Sequence, residues 1–148
     1  ELDFPVLGLD TVAVRGKTTM AIADVSGEAS WFLRDAVRAT QRRHRLETLR
    51  RRALPEWGAE IFSAECVFVA DPPRLAFEAF VEDLVRLYWS QAASQPLTRR
   101  AETIARRLHE QRTYCERQRR NERTRATLAG AFGDSFAESY LAEVLFPF

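Results

Sequence analysis

The sequence predicts a helix-rich α+β domain, in which an N-terminal β-hairpin and one further strand form a small antiparallel or mixed sheet packed against about four helices. Three observations predict this class. The first is that β-branched and apolar runs dominate the first 25 residues. The second is that most later apolar residues recur at the spacings of three and four that define one face of a helix. The third is size, since 148 residues, 46% of them hydrophobic, suffice for one core without disulfide or metal support. We therefore expect residues 1–148 to form a single domain.

The first predicted elements are a hairpin, a basic helix and a strand. The hairpin covers residues 6–25, because two apolar runs flank the turn-like segment Arg15-Gly16-Lys17-Thr18. A basic helix over 30–53 follows from apolar residues near helical spacing, and Pro55 ends it. Residues 61–70 form a short run of aromatic and β-branched side chains, which favours a strand.

Three more helices complete the prediction. Asp71 and Pro72 are a typical helix start, so a core helix is expected over 72–91. A long Arg-rich helix is predicted over 99–129, where Gly130 breaks the pattern, and a C-terminal helix over 135–146. The capping pair of this last helix is Ser135 with Glu138. The apolar stripe expected to bury the first half of the long helix is Ala101, Ile104, Ala105 and Leu108.

Composition excludes several protein classes. No apolar run reaches the roughly 18 residues that a membrane-spanning helix needs, and the start, Glu1-Leu2-Asp3, is not a signal peptide. We therefore expect an intracellular protein. The bias towards arginine is typical of GC-rich coding, so we expect the cytoplasm of a bacterium or phage-infected cell, or the mitochondrion of a GC-rich protist. The chain lacks an initiator Met, so processing or a fragment stays open. Two cysteines, Cys66 and Cys115, are expected to be reduced.

Arginines cluster in two segments, with eight in residues 34–54 and ten in residues 99–125. Because a guanidinium binds carboxylate and phosphate bidentately, these helices suit an acidic protein surface or a nucleic-acid backbone. A pI near 8.1 is low for a dedicated nucleic-acid binder. The leading hypothesis is a non-catalytic interaction or assembly subunit of a larger macromolecular complex, without a cofactor, in which residues 109–125 project as the main binding surface. The expected partner-binding residues are Arg42, Arg43, Arg45, Arg112, Arg119 and Arg123. The alternative, that these arginines reflect only coding bias, stays open.

Two short motifs fail on spacing. Gly16-Lys17-Thr18 ends like a phosphate-binding P-loop, but Thr11 stands where the first glycine must be. His109-Glu110 begins like a zinc-protease motif, but Thr113 stands where the second histidine must be. Neither motif therefore indicates a nucleotide or zinc site.

One acidic arrangement suggests an alternative function. Val6-Leu7-Gly8-Leu9-Asp10 and Ser63-Ala64-Glu65-Cys66-Val67-Phe68 resemble two strands of the RNase H-like nucleases, above all the Holliday-junction resolvases. Asp134 or Glu138 would stand where that family has its final carboxylates. The resemblance implies a Mg²⁺-dependent nuclease with Asp10, Glu65, Asp134 and Glu138 as the catalytic residues. Two strands of that family have no counterpart in this sequence, so the nuclease is the alternative and not the leading hypothesis.

Overall fold

An N-terminal hairpin and one short strand make a three-stranded antiparallel sheet, with strand order β1-β2-β3. The structure, a computed structural model, describes residues 3–148, apart from the side chain of Trp57. The strands are β1 (Val6–Val14), β2 (Lys17–Ser26) and β3 (Val67–Ala70). The predicted α+β class, with its hairpin and one further strand, is confirmed. Glu1 and Leu2, which the predicted domain 1–148 includes, lie outside the described residues, and the single domain stays a prediction.

Helices cover most of the remaining described chain. They are α1 (Trp31–Arg43), α2 (Glu56–Ala59), α3 (Arg74–Ser94), α4 (Ala101–Gln118), α5 (Glu122–Phe132) and α6 (Asp134–Ser139), the last continued by a π-helical turn (Tyr140–Leu145). Within residues 3–148, no helix combines the length and apolar character needed to cross a membrane. Cys66 and Cys115 are both free thiols.

The hairpin fixes which side chains share each face of the sheet. Its two-residue turn uses Arg15 and Gly16, both with positive φ, of 51° and 78°, which is the turn geometry that matches the twist of paired strands. Asp10 of β1 pairs with Ile22 of β2, which pairs in turn with Phe68 of β3. Because side chains alternate along a strand, these three lie on one side of the sheet, here called the second face.

The opposite side, called the first face, is closed by α1 and α3. The buried apolar residues from the sheet and these two helices form one core cluster: Ala21, Ala23, Val25, Val67, Val69, Leu33, Val37, Phe77, Phe80 and Leu84. Phe80 is fully buried, as the predicted core helix requires. The first face of the sheet is therefore covered by α1 and α3, and these two helices leave the second face open.

The long helix predicted over 99–129 is wrong, because the chain turns between α4 and α5. Asn121 caps α5, since its side-chain oxygen accepts from the backbone N–H groups of Arg123 and Thr124. Gly133, with φ of 90°, then separates α5 from α6. The predicted segment therefore contains two helices, α4 and α5, and not one projecting helix.

The prediction that the apolar residues Ala101, Ile104, Ala105 and Leu108 form the buried side of α4 is also wrong. Leu108 is 44% exposed, whereas the buried side chains of α4 are Arg107 and Gln118, only 4% and 7% exposed. These two belong to a polar stripe with Tyr114, at spacings of seven and four. Consequently α4 turns a polar side towards the second face of the sheet.

Other boundaries differ from the prediction for local reasons. The basic helix ends at Arg43 and not at residue 53, because Arg45 adopts a left-handed conformation and Leu46 turns back into the core. The strand predicted over 61–70 is reduced to Val67–Ala70, with the residues before it in a loop. The last helix is capped at Gly133, so the predicted Ser135 cap does not form.

Candidate functional site

The second face of the sheet is a half-open floor that carries a carboxylate. Asp10, Ile22 and Phe68 lie side by side across the three strands, so Asp10 and Phe68 are about 10 Å apart at the usual strand spacing. Asp10 is exposed, while Ile22 and Phe68 are half-buried. The floor therefore offers apolar and aromatic surface with one acidic group at the β1 end.

A guanidinium stands at the other end of this row. The Arg52 side chain lies over the Phe68 ring, with its Cζ 5.3 Å from the ring centroid. The Arg52 backbone N–H also donates to the Phe68 carbonyl, which fixes this segment beside β3. Since Arg52 is exposed and forms no ion pair with any residue that the structure describes, its charge is free to bind an anion.

A buried aspartate, Asp24, holds the loop that precedes β3, at the end of the second face near α4. Asp24, 2% exposed, pairs with Gly8 and accepts hydrogen bonds from the Ser26 hydroxyl and from both the hydroxyl (2.5 Å) and backbone N–H (3.0 Å) of Ser63. Burial raises the pKa of the nearby Cys66 thiol to about 12, and the Asp24 charge adds to the shift. Asp24 is fully engaged in holding the loop and Cys66 stays a thiol, so neither is available for chemistry.

Tyr114 of α4 covers the same end of the floor. A Cβ atom at Gly8 would lie 3.1 Å from the Tyr114 Oη, so the missing side chain is what lets the tyrosine approach the strand. The Gln118 Nε2 donates to this Oη at 3.0 Å, and the Phe146 ring lies edge-on to the tyrosine at 6.5 Å. The tyrosine is thereby held against the floor.

Ion pairs tie α4 to the beginning of the described chain. The buried Arg107 donates to the Asp3 carboxylate from its Nη2 (2.6 Å) and Nε (2.9 Å), and to the Glu110 carboxylate from its Nη1 (2.6 Å). Arg106 bonds the same carboxylate of Asp3 and reaches Glu28. Burial alone would raise the pKa of Asp3, but the hydrogen bonds and charges of Arg107 and Arg106 outweigh it and hold that pKa below its ordinary value. The position of α4 over the sheet is therefore fixed electrostatically.

A groove of about 250 Å³ lies between α4 and the end of the sheet. Val6, Ser26, Ile61, Arg107 and Tyr114 are among the residues that line it. This volume is below the roughly 300–1,000 Å³ of most ligand pockets. A larger ligand would have to occupy the open floor beside Asp10 as well.

The four carboxylates predicted for a nuclease do not meet. Glu65 is buried and its Oε1 lies 2.5 Å from the Arg38 Nη2 of α1, on the first-face side of the sheet, whereas Asp10 lies on the second face. Glu138 of α6 pairs with Arg125 at 3.2 Å, and Asp134 is exposed at the start of that helix. Of these residues, only Asp10 belongs to the candidate site.

The six arginines predicted to bind a partner lie on or beside three helices, α1, α4 and α5. Arg42, Arg43 and Arg45 are exposed at the end of α1 and beyond it, and Arg43 reaches Asp83 at 3.5 Å. Arg112 and Arg123 are exposed on α4 and α5, away from that cluster in the chain. Three of the six residues are therefore near the end of α1, and the other three are on or beside α4 and α5.

Arg119 has an internal role that the sequence did not reveal. Its guanidinium donates to the carbonyl groups of Ala142 (3.2 Å), Phe146 (2.6 Å) and Phe148 (3.0 Å). Ala142 lies in the last helical turn and Phe146 caps it, so both carbonyl groups belong to a helix end, where a cation is favourable. Arg119 thus fastens the C-terminal segment to α4.

Comparisons with known proteins identify the family. Residues 1–147 match the ferredoxin-dependent bilin reductases. The phycocyanobilin:ferredoxin oxidoreductase of Synechococcus elongatus is 35% identical over 97% of this chain and 60% of its own length. The protein of the same name from Trichodesmium erythraeum is 33% identical over 96% of this chain and 59% of its own length. The chain thus spans about 60% of the length of these relatives.

These matches correct both functional hypotheses from the sequence. A non-catalytic assembly subunit that binds an acidic surface or a nucleic acid is wrong, because the relatives are oxidoreductases. The RNase H-like nuclease is wrong for the same reason, and its carboxylates lie apart. The match also extends over nearly the whole sequence and not over one motif. The chain belongs to the ferredoxin-dependent bilin reductase family.

Proposed function

We propose that this protein reduces a bilin with electrons from ferredoxin, and that the bilin lies on the second face of the sheet. Family membership supports the reaction. The observation that supports this location is Asp10, an exposed carboxylate on the second face, which the core helices leave open. An intracellular location, where ferredoxin would be met, is part of this proposal.

The floor suits the chemistry of a bilin. A bilin is an open-chain tetrapyrrole, which is flat, conjugated and largely apolar, with carboxylates on its propionate side chains. Ile22 and Phe68 supply apolar contact for the rings, and Arg52 supplies a guanidinium that can bind a propionate. With Arg52 at one end of the row and Asp10 at the other, the propionates face Arg52 and the remaining ring edge faces Asp10.

Asp10 is the residue that we propose as the proton donor. Reducing one double bond of a bilin adds two electrons and two protons. Ferredoxin supplies the electrons one at a time and no hydride, so the protons come from protein groups or water. Asp10 gives one proton to the reduced ring system and recovers one from solvent, to which it is exposed. Because ferredoxin supplies the electrons, we propose, as the sequence led us to expect, that the reaction needs no cofactor bound permanently to the chain.

The reaction is tested with biliverdin as the probe bilin, under anaerobic conditions, with reduced ferredoxin. We expect biliverdin to bind, and its long-wavelength absorption to change only when protein and reduced ferredoxin are both present. The controls leave out the protein or the ferredoxin. No binding, or a spectrum that changes equally without the protein, would contradict the proposal.

The orientation of the bilin is tested by Arg52→Gln. We expect biliverdin binding to weaken roughly 10- to 150-fold, because a charge-assisted hydrogen bond contributes on the order of 1.5–3 kcal/mol. Titration followed by absorption measures the dissociation constant. The matched control is Arg34→Gln, which removes an exposed arginine of α1 on the other side of the sheet. Equal affinities for the two variants would show that Arg52 does not bind the propionates.

A further inference from the structure

The hydroxyl group of Tyr114 stands close to the proposed reaction centre. Its oxygen lies 3.1 Å from the position that a Cβ of Gly8 would take. Gly8 and Asp10 are two residues apart on one strand, so their side-chain positions are about 7 Å apart on the same face. Tyr114 also lines the groove between α4 and the sheet. The hydroxyl therefore stands where the groove meets the part of the floor that carries Asp10.

The hydrogen of this hydroxyl group is available. The oxygen already accepts a hydrogen bond from the buried Gln118 amide at 3.0 Å, so the tyrosine hydrogen points elsewhere. Among the residues that the structure describes, none accepts it. Burial raises the pKa of Tyr114, and the Asp24, Cys115 and Asp10 charges add to this against the opposing effect of Gln118. The group stays a protonated donor throughout the neutral range.

We infer that Tyr114 is a specificity-determining residue, which donates a hydrogen bond to a terminal lactam oxygen of the bilin and so sets which ring end lies against Asp10. This rests on the proposed function. A lactam oxygen is the acceptor because Arg52, which lies over Phe68 of β3 at the other side of the sheet from β1, takes the carboxylates. A neutral hydroxyl also suits a carbonyl oxygen, whereas a propionate is better matched by a cation.

The test is Tyr114→Phe, which removes the hydroxyl and keeps the ring packed against Phe146. With biliverdin as the probe, we expect about tenfold weaker binding and a shifted absorption maximum of the bound bilin, because one hydrogen bond to the chromophore is lost. Tyr88→Phe is the matched control, since that hydroxyl donates to the Pro5 carbonyl at 2.8 Å within the core. Thermal unfolding of both variants checks the fold.

The outcomes separate the inference from the proposed function. If the unmodified protein does not bind biliverdin, the proposed function fails and the inference fails with it. If it binds, and Tyr114→Phe binds with the same affinity and spectrum, only the inference is overturned. If Tyr88→Phe changes affinity and spectrum as much as Tyr114→Phe does, the effect is one of general stability, which also overturns the inference.

Discussion

Arg15 is held in a conformation that its side chain disfavours. Its φ of 51° lies in the left-handed region, which the turn needs and which glycine and asparagine tolerate best. Arg15→Asn would give Asn-Gly, the dipeptide preferred for this turn. We expect stability to rise by up to about 1 kcal/mol, or roughly 2–4 °C in Tm for a domain of this size. Thermal unfolding followed by circular dichroism measures it.

The control for this substitution separates charge from backbone strain. Arg15→Gln removes the same charge, but glutamine has no preference for the left-handed region, so Tm should stay within about a degree of the unmodified protein. A gain in Tm for Gln equal to that for Asn would mean that the charge of Arg15, and not its backbone, destabilises the turn.

Single residues of the site could be predicted only where they end a recognisable pattern. Asp10 was selected because it follows an apolar run in a strand, and the structure keeps it in the candidate site with a different chemistry. Arg52 was one of eight arginines in its segment, and only its contacts with β3 in the folded chain show that it lies over Phe68. Tyr114 depends on the contact with Gly8, more than 100 positions away in the chain. Such contacts leave no local signal in the sequence.

The attachment of α4 depends on a carboxylate whose pKa is lowered by folding. The pKa of Asp3 lies below its ordinary value of 3.8 in the folded protein, so its ion pairs with Arg106 and Arg107 stabilise the fold above that value. This contribution is lost as the pH falls through the folded-state pKa. We expect Asp3→Asn to have a lower Tm than the unmodified protein at pH 7. The difference should begin to shrink as the pH falls below 3.8 and should vanish only below the folded-state pKa.

The matched control is Glu116→Gln, which removes an exposed carboxylate from the same helix. Its Tm should differ from that of the unmodified protein by a similar small amount at every pH. A difference for Asp3→Asn that persists unchanged down to pH 3 would show that the effect is one of packing and not of charge.

At the scale of elements, type was easier to predict than extent. The hairpin and the core helix follow from periodicity, which depends on neighbours in the chain. The break after α4 depends on Asn121, whose side chain caps α5. Asparagine is a preferred N-cap, so this signal was present in the sequence but was masked by helix-forming residues on both sides. The polar inner stripe of α4 could not be predicted, because apolar periodicity is the usual guide to the buried side.

The sheet separates a side that packs against the core helices from the side that we propose as the binding site. The first face packs against α1 and α3 in the core cluster. The second face is half-open, carries Asp10 and Arg52, and is partly covered by the polar side of α4. Composition and charge predicted a surface for binding an acidic partner, because they record how many arginines there are and not where they lie. Arg107 and Arg119 show the difference, since both form bonds inside the fold.

The most direct test of the second face as the active site is the rate at which bound biliverdin is reduced in a single turnover. Asp10→Asn keeps the size of the side chain but cannot deliver a proton. We expect biliverdin to bind this variant with an affinity close to that of the unmodified protein, and its reduction by pre-reduced ferredoxin to slow about 10²- to 10⁴-fold. Glu116→Gln, measured alongside, should react at the unmodified rate. An Asp10→Asn variant that binds and reduces biliverdin as fast as the unmodified protein would contradict the assignment of the second face as the active site.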